Sequence, residues 1–257
     1  MDIVSKIIVI LILLIVLVFI IIRNKHEHFS TQKIDIWVIN LEKDRDRLVK
    51  FKNNLKVNNS NINLVRYPAT LGKEVKKTDR LYRQCIDPKF KAVFNHDATV
   101  GCAISHASLY NKLYNTYKND PSKDYFIICE DDAVVTDNFS QKLNIILKEL
   151  PSDWDFVYLG SSKPYGKKYS DHLIVPEFKY GNWGFFGYMF SKRGLEKAVN
   201  SCKNIDKPID NFLKHKGLKY FTCNPFLITH DFDNVSNLTG KNRKDAATEY
   251  NKVVVTN

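Results

Sequence analysis

Tyr125-Phe126-Ile127-Ile128-Cys129, running directly into Glu130-Asp131-Asp132, is the stretch that decides the fold. Five apolar residues without alternation suit a strand buried on both faces, as in the middle of a parallel sheet covered by helices. Three carboxylates follow at its carboxyl end, the edge at which open α/β sheets bind ligands. Side chains two apart on an extended chain point the same way, so Glu130 and Asp132 can converge. Hard divalent cations such as Mg²⁺ or Mn²⁺ take oxygen donors of this kind, often completed by a substrate's phosphates. The spacing alone leaves open a charged turn with no ligand.

Outward from this strand the chain alternates between strand and helix patterns. Ile34 to Asn40 is β-branched and mostly apolar and reads as a first strand. Asp44 can cap a following helix, on which Leu48, Phe51 and Leu55 recur at helical spacing. The charged loop between them carries Arg45 and Arg47, either of which can meet a phosphate. Residues 62–67 suggest a second strand, and 72–98 a polar insertion without clear period. From Thr99, a candidate cap, Ala103, Ala107, Tyr110 and Tyr114 form a helical stripe, with His106 as its polar exception. A lone His there is ordinarily a hydrogen-bonded packing residue. Phe139, Leu143, Ile146, Leu147 and Leu150 mark another helix, and Asp155 to Gly160 another buried strand. Residues 161–182 read as a long polar loop of the kind used for lids. Gly184 to Phe190 restores a strand, Ser191 caps a helix through Leu195, Ala198 and Val199, and Pro208-Ile209-Asp210 opens a short helix. Asp210 lies in its first turn, where helix electrostatics alone can account for a carboxylate. Leu218 to Cys223 is a last strand. Beyond Pro225, His230, Asp231 and Asp233 are candidate extra ligands with no periodicity to place them.

Composition narrows the class. Of the 257 residues, 44% are apolar, with 16 Phe, 13 Tyr and 3 Trp, which excludes a disordered chain. The net charge of +11 is scattered, with no recognition motif for DNA or RNA, so nucleic acid is not an expected partner. A positive field equally suits a small anionic substrate or an anionic membrane. The five cysteines show no C-x-x-C spacing, and Cys102, Cys129 and Cys223 read as small core residues.

Ile7 through Ile22 are sixteen consecutive apolar residues, long enough with their flank to cross a bilayer. The expected organisation is an uncleaved membrane anchor over 1–22, a polar stem over 23–33 of at most about 36 Å, and one α/β domain over 34–257. Arg23 and Lys25 after the segment favour a cytosolic domain, whereas N-x-S/T sequons at Asn58, Asn138, Asn234 and Asn237 favour a lumenal one. The expectation is a single-pass protein with a lumenal domain, the cytosolic orientation left open.

The order of motifs resembles glycosyltransferase family 25, which includes bacterial lipopolysaccharide galactosyltransferases and collagen-modifying galactosyltransferase domains. The resemblance spans about residues 34–213. It rests on Val38-Ile39-Asn40-Leu41 with Asp46-Arg47, Gly101-Cys102-Ala103-Ile104-Ser105-His106, and Glu130-Asp131-Asp132-Ala133. Asp155 to Gly160, Gly187 to Gly194 and Pro208-Ile209-Asp210 continue it in order. It implies a GT-A fold, a Rossmann-like α/β/α sandwich with a mainly parallel sheet. It also implies inverting transfer of a sugar, commonly galactose from UDP-galactose, to a hydroxyl of a glycan, lipid-linked saccharide or protein.

The acidic triplet then resembles the family's metal-binding DxD-type motif, with Asp132 and Glu130 as ligands of Mn²⁺ or Mg²⁺. Asp131, Arg47, Asn40 and His106 carry over as donor-site residues; the acceptor hydroxyl also needs a base, and Asp210, if it reaches the cleft, is the candidate for it. The region after Pro225 matches poorly, so a third protein ligand stays open. Two other readings remain at this stage: a membrane-anchored, non-catalytic nucleotide-sugar-binding protein of the same fold, and a metal-dependent phosphohydrolase. The latter needs two Asp residues two apart after the strand, which Glu130 with Asp132 and Asp131 with Ala133 do not provide.

Overall fold

A computed structural model describes residues 12–16, 33–55, 59, 61–92, 95–179, 181–231 and 254–256. The chain divides into two compact units, Met1–Ile34 and Asp35–Asn257. In the first, residues 12–16 are helical and exposed. The rest of the expected anchor and nearly all of the stem lie outside the described residues, and no described helix is long and apolar enough to cross a membrane.

The second unit is built on a sheet. Its strands are β1 (Ile34–Asn40), β2 (Ile62–Pro68), β3 (Tyr125–Glu130), β4 (Ala133–Val135), β5 (Phe156–Ser162), β6 (Tyr165–Lys168), β7 (Leu173–Pro176), β8 (Trp183–Ser191), β9 (Tyr220–Cys223), β10 (Ile228–His230) and β11 (Val254–Thr256). Nine of them form one sheet in the order β11-β6-β7-β9-β5-β8-β3-β1-β2, and β10 pairs with β4 apart from it. The helices are α1 (Arg45–Leu55), α2 (Arg80–Cys85), α3 (His96–Tyr117), α4 (Phe139–Glu149), α5 (Lys192–Ser201) and α6 (Ile209–Leu213).

The sheet is mixed, not mainly parallel. β1 runs parallel to β3 and β5 to β9, but β8 lies between β3 and β5 antiparallel to both. An unbroken apolar run reports burial on both faces and says nothing of strand direction, which is why β3 and β8 read alike in sequence. Residues 161–182 are no loop either: β6 and β7 form an antiparallel pair that extends the sheet beyond β9. On this outlying pair Lys167 and Lys168 are exposed, so the stretch is too polar to look like a core strand.

Period-2 alternation assigns the two faces. Trp37 and Ile39 of β1, Phe126 and Ile128 of β3, Phe156 and Tyr158 of β5, and Tyr188 and Phe190 of β8 share one core with the buried stripes of α3 and α5. Their alternates Ile36, Val38, Ile127, Cys129, Val157 and Met189 are also fully buried. Leu48 and Phe51 of α1 and Phe139, Leu143 and Ile146 of α4 are buried outside that core and supply the opposite layer. Local signals hold where they were strongest. Ser191 Oγ accepts from Gly194 N at 2.9 Å and caps α5. Two caps differ from expectation: α3 begins earlier, its cap being Asn95, whose side chain accepts from Ala98 N, and a 3-10 turn at Glu42–Asp44 precedes α1 in place of an Asp44 cap.

Candidate active site

Because β1 and β3 run side by side in the same direction, with Ile39 opposite Glu130, their carboxyl ends open together. A cavity of about 420 Å³ lies there, lined by Ile39 of β1, Lys43 of the turn that follows it, Arg47 of α1, residues 69–73, Cys102, Ser105 and His106 of α3, and by Glu130, Asp131 and Asp132. Ser105 shapes its wall: the hydroxyl donates to Gly101 O at 2.6 Å and accepts from Thr70 N at 2.8 Å, which ties the segment after β2 to the helix.

The acidic triplet divides. Asp131 and Asp132 are both buried, and Arg47 reaches both, at 2.7 Å from Asp131 Oδ1 and 3.1 Å from Asp132 Oδ2. Asn40 donates from Nδ2 to Asp131 Oδ2 at 2.7 Å, and is itself held by Arg66 Nε at 2.9 Å. Asn40 therefore stands behind the carboxylates and does not line the cavity. Burial pushes the Asp131 carboxyl up to about 7 against the pull of Arg47, with the charges of Asp132 and Glu130 adding to the rise. Burial acts the same way on Asp132, but the hydrogen bond and electrostatic pull of His230, with Arg47, outweigh it and hold its carboxyl below the ordinary value. Glu130, by contrast, turns toward α3: its Oε1 is 3.3 Å from His106 Nε2 and 4.0 Å from Cys102 Sγ.

His230 is the residue that sequence placed least well. Its Nε2 lies 3.0 Å from Asp132 Oδ2, brought there by the antiparallel pairing that sets His230 opposite Ala133. Two glycines make that pairing fit. Gly160 and Gly187 face each other across β5 and β8, and Ile228 sits over both. A Cβ on Gly160 would stand 2.0 Å from Ile228 O, and one on Gly187 2.5 Å from Ile228 Cγ2. Further ties are Leu227 N to Leu159 O at 2.9 Å, Asp231 N to Asp132 O at 2.7 Å, and an edge-on contact of the His230 ring with Phe186. Asp231 itself pairs with Lys50.

Cys102 packs against the core, as read from sequence, but also reaches the cavity. It is half-buried on the cavity wall, one helical turn from His106. Its i,i+4 spacing to His106 was the available signal. Asp210 lies outside the cavity lining: Oδ2 accepts from Gly184 N at 3.0 Å and Oδ1 from Asn211 N at 2.9 Å. Arg45 pairs with Glu42 on the surface.

The donors suit a hard divalent cation. Asp132 Oδ1 is buried and has no hydrogen-bond partner among the described residues, a costly state for a carboxylate oxygen unless something else is bound. Two buried carboxylates share one guanidinium, and a neighbouring imidazole offers a further donor. Asp132, with its unpartnered Oδ1 beside the His230 imidazole, is the residue of this group that fits such an ion.

Residues 33–213 match the family described as Glycosyltransferase family 25 (LPS biosynthesis protein), more than half of the chain. A curated relative, the procollagen lysyl hydroxylase and glycosyltransferase of Acanthamoeba polyphaga mimivirus, is 30% identical over 121 residues, which are 44% of this chain and 13% of that protein. The chain thus spans only a small part of that relative. Among solved structures, a Drosophila β1,4-galactosyltransferase 7 mutant in complex with manganese, UDP-Gal and xylobiose aligns over 88% of this chain and 77% of its own, at 14% identity and a TM-score of 0.40. The glycosyltransferase GlyE of Streptococcus pneumoniae TIGR4 aligns over 74% and 45%, at 11% identity and 0.37.

Proposed function

Because the chain belongs to glycosyltransferase family 25 and is a glycosyltransferase, we propose that it transfers galactose from UDP-galactose, bound in the cavity at the ends of β1 and β3, to a hydroxyl of a saccharide, lipid-linked or protein acceptor, with inversion and in a GT-A fold. The observation that carries this reading is the buried pair Asp131 and Asp132 with an unpartnered Oδ1, facing a cavity of nucleotide-sugar size. Asp132, beside His230, would hold Mn²⁺ or Mg²⁺. When bound, the ion supplies Lewis-acid stabilisation of negative charge on a departing diphosphate.

The chain's own residues do the remainder. Arg47 and Asn40 hold the two aspartates in place, so the donor set is ordered before any substrate arrives. Lys43 and Lys73 line the same cavity and offer positive charge to phosphate oxygens. Asp210, oriented by the N–H groups of Gly184 and Asn211, is the proposed acceptor of the proton from the attacking hydroxyl. The apolar segment at 7–22 is proposed to anchor the domain to a membrane with the domain lumenal.

A panel of nucleotide sugars tests the donor assignment. The expected outcome is UDP release from UDP-galactose with Mn²⁺, abolished by EDTA. Release from another nucleotide sugar alone, or release insensitive to EDTA, overturns the donor or the metal requirement respectively.

A further inference from the structure

The third member of the acidic triplet belongs to a different kind of centre. Cys102 Sγ, His106 Nε2 and Glu130 Oε1 all lie within 4.8 Å of one another, and all three residues line the cavity. Zinc–ligand distances of about 2.0–2.3 Å put tetrahedral donors roughly 3.3–3.8 Å apart. The separations of 3.3 Å for His106 to Glu130 and 4.0 Å for Cys102 to Glu130 are close to that range. We propose that Cys102, His106 and Glu130 form a second cation site, selective for Zn²⁺ and similar thiolate-binding ions and distinct from the aspartate site.

Three features support it. Cys102 and His106 are four apart on α3, so the helix itself fixes two ligands on one face. The His106 ring is held from behind: Nδ1 is 2.6 Å from the Tyr188 hydroxyl, which is 2.7 Å from that of Tyr110. This is the outer-shell support that metal-binding imidazoles ordinarily have, and a pair of hydroxyls can give a proton to Nδ1 or take one from it by rotating. Third, three protein donors beside open cavity space leave the fourth tetrahedral position to water or a ligand. The donor chemistry sets the selectivity: a thiolate and an imidazole favour zinc or cobalt over manganese or magnesium, which prefer the all-oxygen aspartates.

In the metal-free protein, burial and the charges of Glu130, Asp210 and Asp132 push the Cys102 thiol well up. Binding therefore displaces the thiol proton to solvent as the S–metal bond forms. An ion here takes the Glu130 carboxylate and occupies the cavity wall. The site does not depend on the proposed donor.

Titration of the chelator-stripped full chain with Co²⁺ tests it. The expected result is a thiolate-to-cobalt charge-transfer band that saturates at one equivalent and is displaced by Zn²⁺. Cys102→Ser should lose the band and bind Zn²⁺ roughly 10-fold or more weakly. Asp132→Asn should keep both, which separates this site from the aspartate one. Absence of the band, or its persistence in Cys102→Ser, overturns the proposal. X-ray absorption of the wild-type complex with one equivalent of Zn²⁺ needs no variant: one sulfur at about 2.3 Å supports it, and a shell without sulfur overturns it.

Discussion

Gly160→Ala is the sharpest single perturbation the packing offers, because its effect must travel through the backbone of another strand. The added Cβ would lie 2.0 Å from Ile228 O and 2.9 Å from Ile228 C, and 2.8 Å from Phe186 Cε2. A Cβ and a carbonyl oxygen need somewhat more than 3 Å, so β10 must move by about 1 Å, and backbone cannot rotate out of the way as a side chain can. His230 is two residues beyond Ile228 on the same short strand. A displacement of that size takes its Nε2 from 3.0 Å to beyond hydrogen-bonding reach of Asp132 Oδ2. Overpacking of this kind costs about 1–3 kcal/mol of stability, less than a domain of this size has to lose. A misplacement of about 1 Å in a catalytic constellation can cost about 100-fold in rate.

The assay compares melting temperature, Mn²⁺ affinity and UDP-sugar turnover in wild type and Gly160→Ala. The expected outcome is a folded variant with a modest loss of stability and a large loss of both metal affinity and turnover. Gly217→Ala is the control. Its φ of +69° makes alanine strained there, but nothing lies within 4 Å of the new Cβ, so it should cost roughly 1 kcal/mol and leave turnover near wild type. Unchanged turnover in Gly160→Ala, or equal losses in the two variants, would refute the argument that the paired glycines place His230.

Two further expectations concern stability. Asp155 is fully buried and accepts from Arg193 Nε at 2.8 Å, Lys197 Nζ at 2.7 Å and Lys219 N at 2.8 Å; burial raises its carboxyl, but these partners prevail and hold it below its ordinary value. A depressed folded pKa gives stability that is present above the unfolded value of about 3.9 and lost as pH falls through the folded one, so Asp155→Asn should cost about 2–3 kcal/mol in urea at pH 7 and progressively less below about pH 4. Burial lowers the Lys214 amine to about 8, with Asp210 opposing, and its ammonium faces Phe178 and Trp183 at 5.5 and 5.7 Å. On this group the unfolded chain holds more protons between about pH 8 and 10.5, so Lys214 contributes stability that rises with pH there, against the fall contributed by buried thiols and phenols whose folded values are raised; Lys214→Met should therefore lose stability with pH more steeply than wild type, and an identical pH dependence in the two would contradict it.

Much of this fold was legible in sequence, and the gaps have physical causes. β1, the buried run of β3 and the Ser191 cap depend on neighbours within a few residues, and they stand where pattern placed them. The direction of β8 depends on which strands flank it, and a doubly buried strand has no pattern that records this. In the site, the acidic triplet was conspicuous because charge at the end of an apolar strand is unusual, whereas Arg47 was set apart from Arg45 only by the family resemblance. His230 was visible only as a candidate without a place, since the feature that positions it is a contact between residues more than 60 apart, Gly160 and Ile228. The cavity side of Cys102 was not visible, because a cysteine on an apolar stripe looks the same whether it meets the core alone or a cavity as well.

The most direct measurement of the central claim is Mn²⁺ binding in the presence of UDP, followed by electron paramagnetic resonance, for wild type and Asp132→Asn. The account expects one bound ion in wild type and at least about a 10-fold loss of affinity in the variant, which still unfolds in one cooperative transition, with turnover abolished. Wild-type Mn²⁺ affinity and turnover in a folded Asp132→Asn protein would contradict it.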